Sequence, residues 1–298
     1  MRTYLLLLIA AGAVLARAQS NPPRLPYSVD PNWPQLPQGW LLGETASVTV
    51  DGKGHVLLFH RGPHPIIELD GAGKHVRSWG DGSFPRAHGI RVDPQGNLWV
   101  IDSGAHIVVK MNPQGRVLMV LGRSGQAAEG PDRFNGPTDV AVTPEGDFYI
   151  SDGYGNSRIA KYSKDGTFLL SWGNKGAGQG GFALPHGIAV DRKGLVYVAD
   201  RENRLIQIFD GGGKFLKQWN QVGAASGLAM SADGHLFVAA GNRIFKLDLE
   251  GRILGAFGEP GRLAGQLAGV HHLAVGPNGD VYTAELGGWR AQKFVLRR

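Results

Sequence analysis

The constraint that bears most on the fold of this 298-residue chain is an internal repeat that recurs six times at intervals of 40 to 50 residues. Each unit pairs a short apolar-alternating stretch with a turn closing on glycine and a second stretch rich in aromatic and β-branched residues. The second stretches read HVLLFH (55–60), NLWVID (97–102), DFYISD (147–152), LVYVAD (195–200), HLFVAA (235–240) and DVYTAE (280–285). Each is followed by a third, such as RIAKYS (158–163), and a Gly-containing turn then leads to a fourth ending in Trp-Gly or a variant of it. Four short strands per repeat, at this period, are the signature of a propeller blade. The chain is therefore expected to be all-β, a six-bladed β-propeller over residues 39–298.

The sixth unit ends at its third strand, AQKFVLRR (291–298). A ring needs its last blade completed, because an open radial edge would template aggregation. The closing strand is expected to come from the N-terminal side, and GWLLG (39–43) has the fourth-strand pattern. Residues 19–38 hold six prolines and read as an extended lead-in. Residues 1–18 read as a signal peptide: Arg2, an apolar run from Tyr4 to Leu15, and Ala16-Arg17-Ala18 as the small-x-small site. A run that short does not span a bilayer. The expectation is a secreted or periplasmic monomer with no integral membrane segment after signal cleavage. Without cysteine it has neither disulfides nor a lipid-anchored start. The 31 Lys+Arg and 25 Asp+Glu are interspersed, so the clustered basic patch of a nucleic-acid binder is missing.

In a propeller the start of each innermost strand and the loop after each second strand meet at one mouth of the central channel. Ligand sites favour such loop-ringed mouths. The strand starts are Ala46, His88, Thr138, His186, Ser226 and His271, framed by AHGIRV, PTDVAV, PHGIAV, ASGLAM and VHHLAV. Histidine thus falls in alternate blades, a third of a turn apart, in a chain with only 10 histidines. A histidine at a strand start can be a turn-capping residue copied by duplication, but copying gives no reason to skip every second blade. Three imidazoles with an open coordination position suit catalytic zinc, whereas calcium and magnesium prefer oxygen. His272 competes with His271 for the third position, and the Leu273-Ala274-Val275 frame favours His271. The loop FHRGPHP (59–65) brings Arg61, with His60 or His64, to the same mouth, and SDGYGNSR (151–158) brings Tyr154. Arginine suits a carboxylate, and tyrosine beside a cation can serve as a base. Asp102, Asp152, Asn156 and Arg158 read as turn and blade-pairing residues, with Asp200, Asn203 and Arg204 as their counterparts.

Residues 134–176 and 182–210, with FHRGPHP and PRAHGIRV, closely resemble the peptidyl-α-hydroxyglycine α-amidating lyases, which are NHL-repeat propellers. The resemblance implies cleavage of a C-terminal α-hydroxyglycine peptide, or a related small α-hydroxy amide, to an amide and glyoxylate. It implies zinc on His88, His186 and His271, carboxylate binding by Arg61, and proton removal from the α-hydroxyl by Tyr154. Animal members carry a disulfide at the residue after the tyrosine, here Gly155. A methionine two residues before the third histidine is Gly269 here. An acidic residue that serves a structural calcium is replaced by His272, which argues against Ca2+. Two other readings stay open: a non-enzymatic propeller binding a peptide, glycan or envelope partner, and a propeller lactonase. The latter would place Glu, Asn and Asp in the channel, and the six strand starts offer none.

Overall fold

A computed structural model describes residues 21–297; the segment read as a signal peptide lies outside the described residues. Six four-stranded antiparallel sheets stand around an axis. The innermost strands are Thr45–Val50, Ala87–Val92, Asp139–Val142, Pro185–Val190, Ala225–Met230 and Val270–Val275, for blades one to six. The fold is the expected all-β, six-bladed propeller. Its strands alternate because both faces of a blade pack on neighbours: second strands such as Leu98–Asp102 and Val196–Asp200 are buried throughout. The core lies between blades, as where Trp99 and Ile101 of blade two pack with Val140, Phe148 and Ile150 of blade three. The repeated x-x-Gly turns close the hairpins, with aspartate anchoring them. Asp93, for example, accepts from the Gln95 and Asn97 amides at 3.0 and 2.7 Å.

The last blade is closed by an N-terminal strand, but by Tyr27–Val29 rather than by GWLLG. Tyr27, Ser28 and Val29 pair antiparallel with Leu296, Val295 and Phe294. Residues 39–43 form no strand: Leu41 is 86% exposed, Trp40 stacks on His64, and Trp40 and Leu42 pack on the core between blades six and one. The lead-in therefore does more than connect. Its Leu25 and Pro23 exchange hydrogen bonds with Ala256 on the outer strand of blade five, and Gln35 bonds to Gly73 and His75 of blade one. One segment staples three consecutive blade edges, two of them across the seam of the ring. Trp33, 5% exposed, anchors it beside Tyr282. We expect Trp33→Ala to cost about 3–5 kcal/mol, the usual range for emptying a buried aromatic site. Chemical denaturation would read this, and a loss near zero would show that the staple is decorative.

Candidate metal centre and its surroundings

The three histidine-bearing strand starts turn inward because the backbone is bulged there. The register slips between Ala87 and Gly89, Pro185 and Gly187, and Val270 and His272, leaving His88, His186 and His271 as the unpaired extra residues. A bulge re-aims a side chain that regular pleating would send between blades. All three imidazoles are buried, and their ring centroids lie 4.6 to 4.9 Å apart. Their ligand atoms all lie within 4.8 Å of one another.

Each ring is oriented by the next blade. Nδ1 of His88 donates to the Thr138 carbonyl at 2.6 Å, that of His186 to the Ser226 carbonyl at 2.7 Å, and that of His271 to the Ala46 carbonyl at 2.6 Å. A carbonyl only accepts, so Nδ1 carries the proton and the Nε2 lone pair faces the axis. The blades without histidine thus supply the carbonyls that hold the blades with it. Gly187 makes this approach feasible, since a Cβ there would sit 2.9 Å from the Ser226 carbonyl oxygen; Gly89 stands in the same relation to Thr138. Nε2 of His186 and of His271 has no partner. Burial, reinforced by the neighbouring rings, holds His88 well below the ordinary imidazole value, and burial pushes His271 down to about 3. Neutral imidazoles with convergent lone pairs and proton-bearing Nδ1 fixed by backbone are the donor set zinc takes.

Tyr154 closes the upper side. Its hydroxyl lies 3.0 Å from His88 Nε2, and the residue is 38% exposed at the mouth. The loop is laid down by bonds from the Tyr154 amide to the Gly136 carbonyl and from the Gly155 amide to the Asn135 carbonyl. No side chain fits at Gly155, where a Cβ would meet Asn135 Cγ at 2.1 Å. Arg61 reaches the same region, with Nε on the Ala87 carbonyl at 3.1 Å and Nη1 on Glu44 at 2.7 Å. His60 and His64 do not join it. His60 accepts from the Gly43 amide and reaches the His64 carbonyl, while His64 stacks on Trp40.

Two more arginines belong to this mouth, and both were readable in the sequence. Arg201 follows Asp200 as Arg61 follows His60, in the equivalent loop of blade four. Arg86 lies two residues before His88, with Cζ 5.3 Å from the Tyr154 ring centroid. The positive charges of Arg61, Arg201 and Arg86 all reach the axial histidines, and each helps hold His271 below its ordinary value. Asp102, Asp152 and Asp200 are structural as expected. Asp152 accepts from Arg158, Asn156 and the Asn135 amide. In blade four Asn203 and Gln207, not Arg204, bond to Asp200.

One layer below the three histidines lies an ion cluster that the sequence reading missed. Arg91 makes two bonds to Asp139, at 2.9 and 2.6 Å, and a third to His272 Nδ1 at 3.0 Å. It also reaches the Leu273 and Leu228 carbonyls, while Asp139 accepts from the Ile188 amide. Burial pushes the Asp139 carboxyl up and the guanidinium opposes it. Arg91 is always a donor, so His272 accepts through Nδ1 and bears its proton on Nε2. Its Nδ1 is thus committed to the guanidinium, whereas His88, His186 and His271 are the three whose ligand atoms lie together. The cluster does not fit calcium, which needs six or more oxygens; those present are already held by the guanidinium. We expect calcium added to EGTA-treated protein to leave the melting temperature unchanged, and a rise on calcium addition would contradict this. We further expect Gly187→Ala to displace the Ser226 carbonyl and weaken the affinity of the three-histidine set for an added divalent metal about 10- to 100-fold, measured by competition with a chromophoric chelator. Unaltered affinity would mean that His186 needs no such support.

The NHL repeat family model matches residues 134–162 and 182–209, within blades three and four. Peptidyl-alpha-hydroxyglycine alpha-amidating lyase 1 of Drosophila melanogaster is 33% identical over 86% of this chain, which spans 58% of that protein's length. Human NHL repeat-containing protein 3 is 32% identical over 90% of this chain and 84% of its own. A solved streptogramin B lyase superposes with a TM-score of 0.67 at 17% identity, covering 91% of this chain and 98% of that one, which is a likeness of fold.

Proposed function

Because the chain belongs to the family of NHL-repeat propellers that holds human NHL repeat-containing protein 3 and the peptidyl-α-hydroxyglycine α-amidating lyases, we propose that it is a zinc-dependent lyase acting on α-hydroxyglycine peptides or related α-hydroxy amides. The observation that carries this reading is the convergence of three lone pairs with one phenol, Tyr154, 3.0 Å from His88 Nε2, beneath arginines from separate blades. A zinc ion on His88, His186 and His271 would supply Lewis acidity to the substrate's oxygen atoms.

The chain's own groups do the rest. Arg61, held by Glu44 and the Ala87 carbonyl, keeps Nη2 free to take the substrate carboxylate, and Arg201 offers a second fork across the mouth. Carboxylate anchorage fixes the α-hydroxyl near Tyr154. Once its own proton has passed to solvent, the Tyr154 phenolate takes the hydroxyl proton, the carbonyl of glyoxylate forms, and the C–N bond breaks with its electron pair passing to nitrogen. A proton returned to that nitrogen completes the amide. Arg91 and His272 floor the axis, so substrate enters and product leaves at the upper mouth.

The leader-like residues 1–18 support export to the periplasm or medium, and a small-molecule or peptide ligand suits the mouth. Among the described residues no helix is long and apolar enough to cross a membrane. A second reading, a propeller that binds a peptide, glycan or envelope partner without chemistry, is favoured by kinship to NHL repeat-containing protein 3, whose name states no reaction.

Zinc-loaded protein is expected to release glyoxylate from an N-acyl-α-hydroxyglycine. Tyr154→Phe should lower kcat by about 10²- to 10⁴-fold with little change in KM, the span of a lost acid–base group. Arg61→Ala should act mainly on KM. Zinc-free protein that yields no glyoxylate after zinc addition would leave the binding reading standing.

A further inference from the structure

The mouth holds one cation more than the proposed reaction uses. Arg61 is balanced by Glu44 at 2.7 Å and Arg201 by Glu202 at 3.0 Å. Arg86 differs: among the described residues its guanidinium makes no hydrogen bond and has no carboxylate within 4 Å. Its place is nevertheless fixed. The Arg86 amide donates to Asp102, its carbonyl accepts from the Ser103 amide, and the guanidinium lies over the Tyr154 ring. Arg61 is bonded to the carbonyl of the very next residue, Ala87, so two guanidinium-bearing side chains flank one stretch of rim. Both stand on the path from solvent to the histidines.

An exposed arginine is ordinarily a solvated surface charge. Several features separate this one from that case: a backbone pinned by a buried aspartate, a ring platform on the proposed catalytic tyrosine, and a net positive mouth whose other two arginines are already countered. A site built for a monoanion would need only Arg61 or Arg201. We propose that Arg86 is a specificity-determining residue, and that the preferred ligand is a dianion: an α-hydroxy carboxylate with a second acidic group close to the scissile nitrogen. In a peptide substrate this is an acidic residue immediately preceding the α-hydroxyglycine. The orientation rests on the lyase reading, with one carboxylate toward Arg61 and the hydroxyl toward Tyr154; the second acid then falls on the Arg86 side.

Binding can test this without turnover. Calorimetric titration of the zinc-loaded full chain with malate, a 2-hydroxy dicarboxylate, and lactate, a 2-hydroxy monocarboxylate, gives an affinity ratio. We expect malate to bind more tightly by about fivefold or more, as suits one charge-assisted contact at a partly solvated rim. In Arg86→Gln the ratio should fall to about one to two. Arg204→Gln, which removes an exposed arginine of the blade-four loop, controls for bulk charge and should keep the parental ratio. A ratio equal in parent and Arg86→Gln, a fall as large in Arg204→Gln, or failure of malate to bind would overturn the assignment. Glyoxylate release from a neutral N-acyl-α-hydroxyglycine judges the lyase reading by itself, so either idea can fail while the other stands.

Discussion

Three hydrogen bonds, from Nδ1 of His88, His186 and His271 to carbonyls of the following blades, connect the architecture of this propeller to its chemistry. Each requires the ring to be closed, since donor and acceptor sit on different blades, and the His271 bond spans the seam where the last blade meets the first. Each also requires a bulge that turns the side chain inward. For His88 and His186 it further requires a glycine, so that the neighbouring strand can approach. Alternation of histidine with Thr138, Ser226 and Ala46 follows naturally: every second blade presents a ring, and the blade between contributes only its backbone and a small side chain. A six-fold scaffold is thereby converted into a three-fold ligand set. Bonds at 2.6 to 2.7 Å fix both tautomer and direction, which loop-borne ligands would not achieve so tightly.

Much of this could be read from one chain. Repeats announce themselves because each blade must bury both faces, which forces the same apolar spacing six times. Histidine at alternate strand starts then stands out against an otherwise regular frame. What the sequence hid was of two kinds. The closing strand was misplaced because Tyr27–Val29 is three residues among prolines, whereas GWLLG copies the pattern of a fourth strand. Local pattern cannot tell an edge-pairing segment from one that packs Trp40 on His64. The Arg91–Asp139–His272 cluster was invisible because its members lie 48 and 181 residues apart and belong to three blades. Arg201 was missed for a weaker reason, since the rule that found Arg61 applied equally to it.

The axis carries two stations at different depths, and their designs contrast. Below, a guanidinium is permanently charged and is met by a buried carboxylate, two carbonyls and an imidazole, so the charge is compensated inside the protein. Above, the imidazoles are held neutral by burial and by the arginines nearby, and their Nε2 atoms converge on the axis, where the Tyr154 hydroxyl meets that of His88. A fixed positive charge below also disfavours protonation of His272, whose Nδ1 is committed to Arg91. The lower station serves the fold by tying blades two to six together, and it closes the channel from beneath. The upper station presents a donor set suited to one borderline divalent ion.

Three ligands on three blades tie any ion at the axis to the state of the fold. His88 Nε2 is met by the Tyr154 hydroxyl at 3.0 Å, and Nε2 of His186 and of His271 converge beside it. The interblade cores and the N-terminal staple fix the ring in which these positions come together. An ion at the axis would add to the stability of the closed ring, since ligands from blades two, four and six must all be in place at once. It would also draw the His88 lone pair away from Tyr154 and free the hydroxyl to meet a substrate. Metal occupancy, ring closure and the availability of the phenol are then one coupled equilibrium, set by side chains on alternate blades of a repeat.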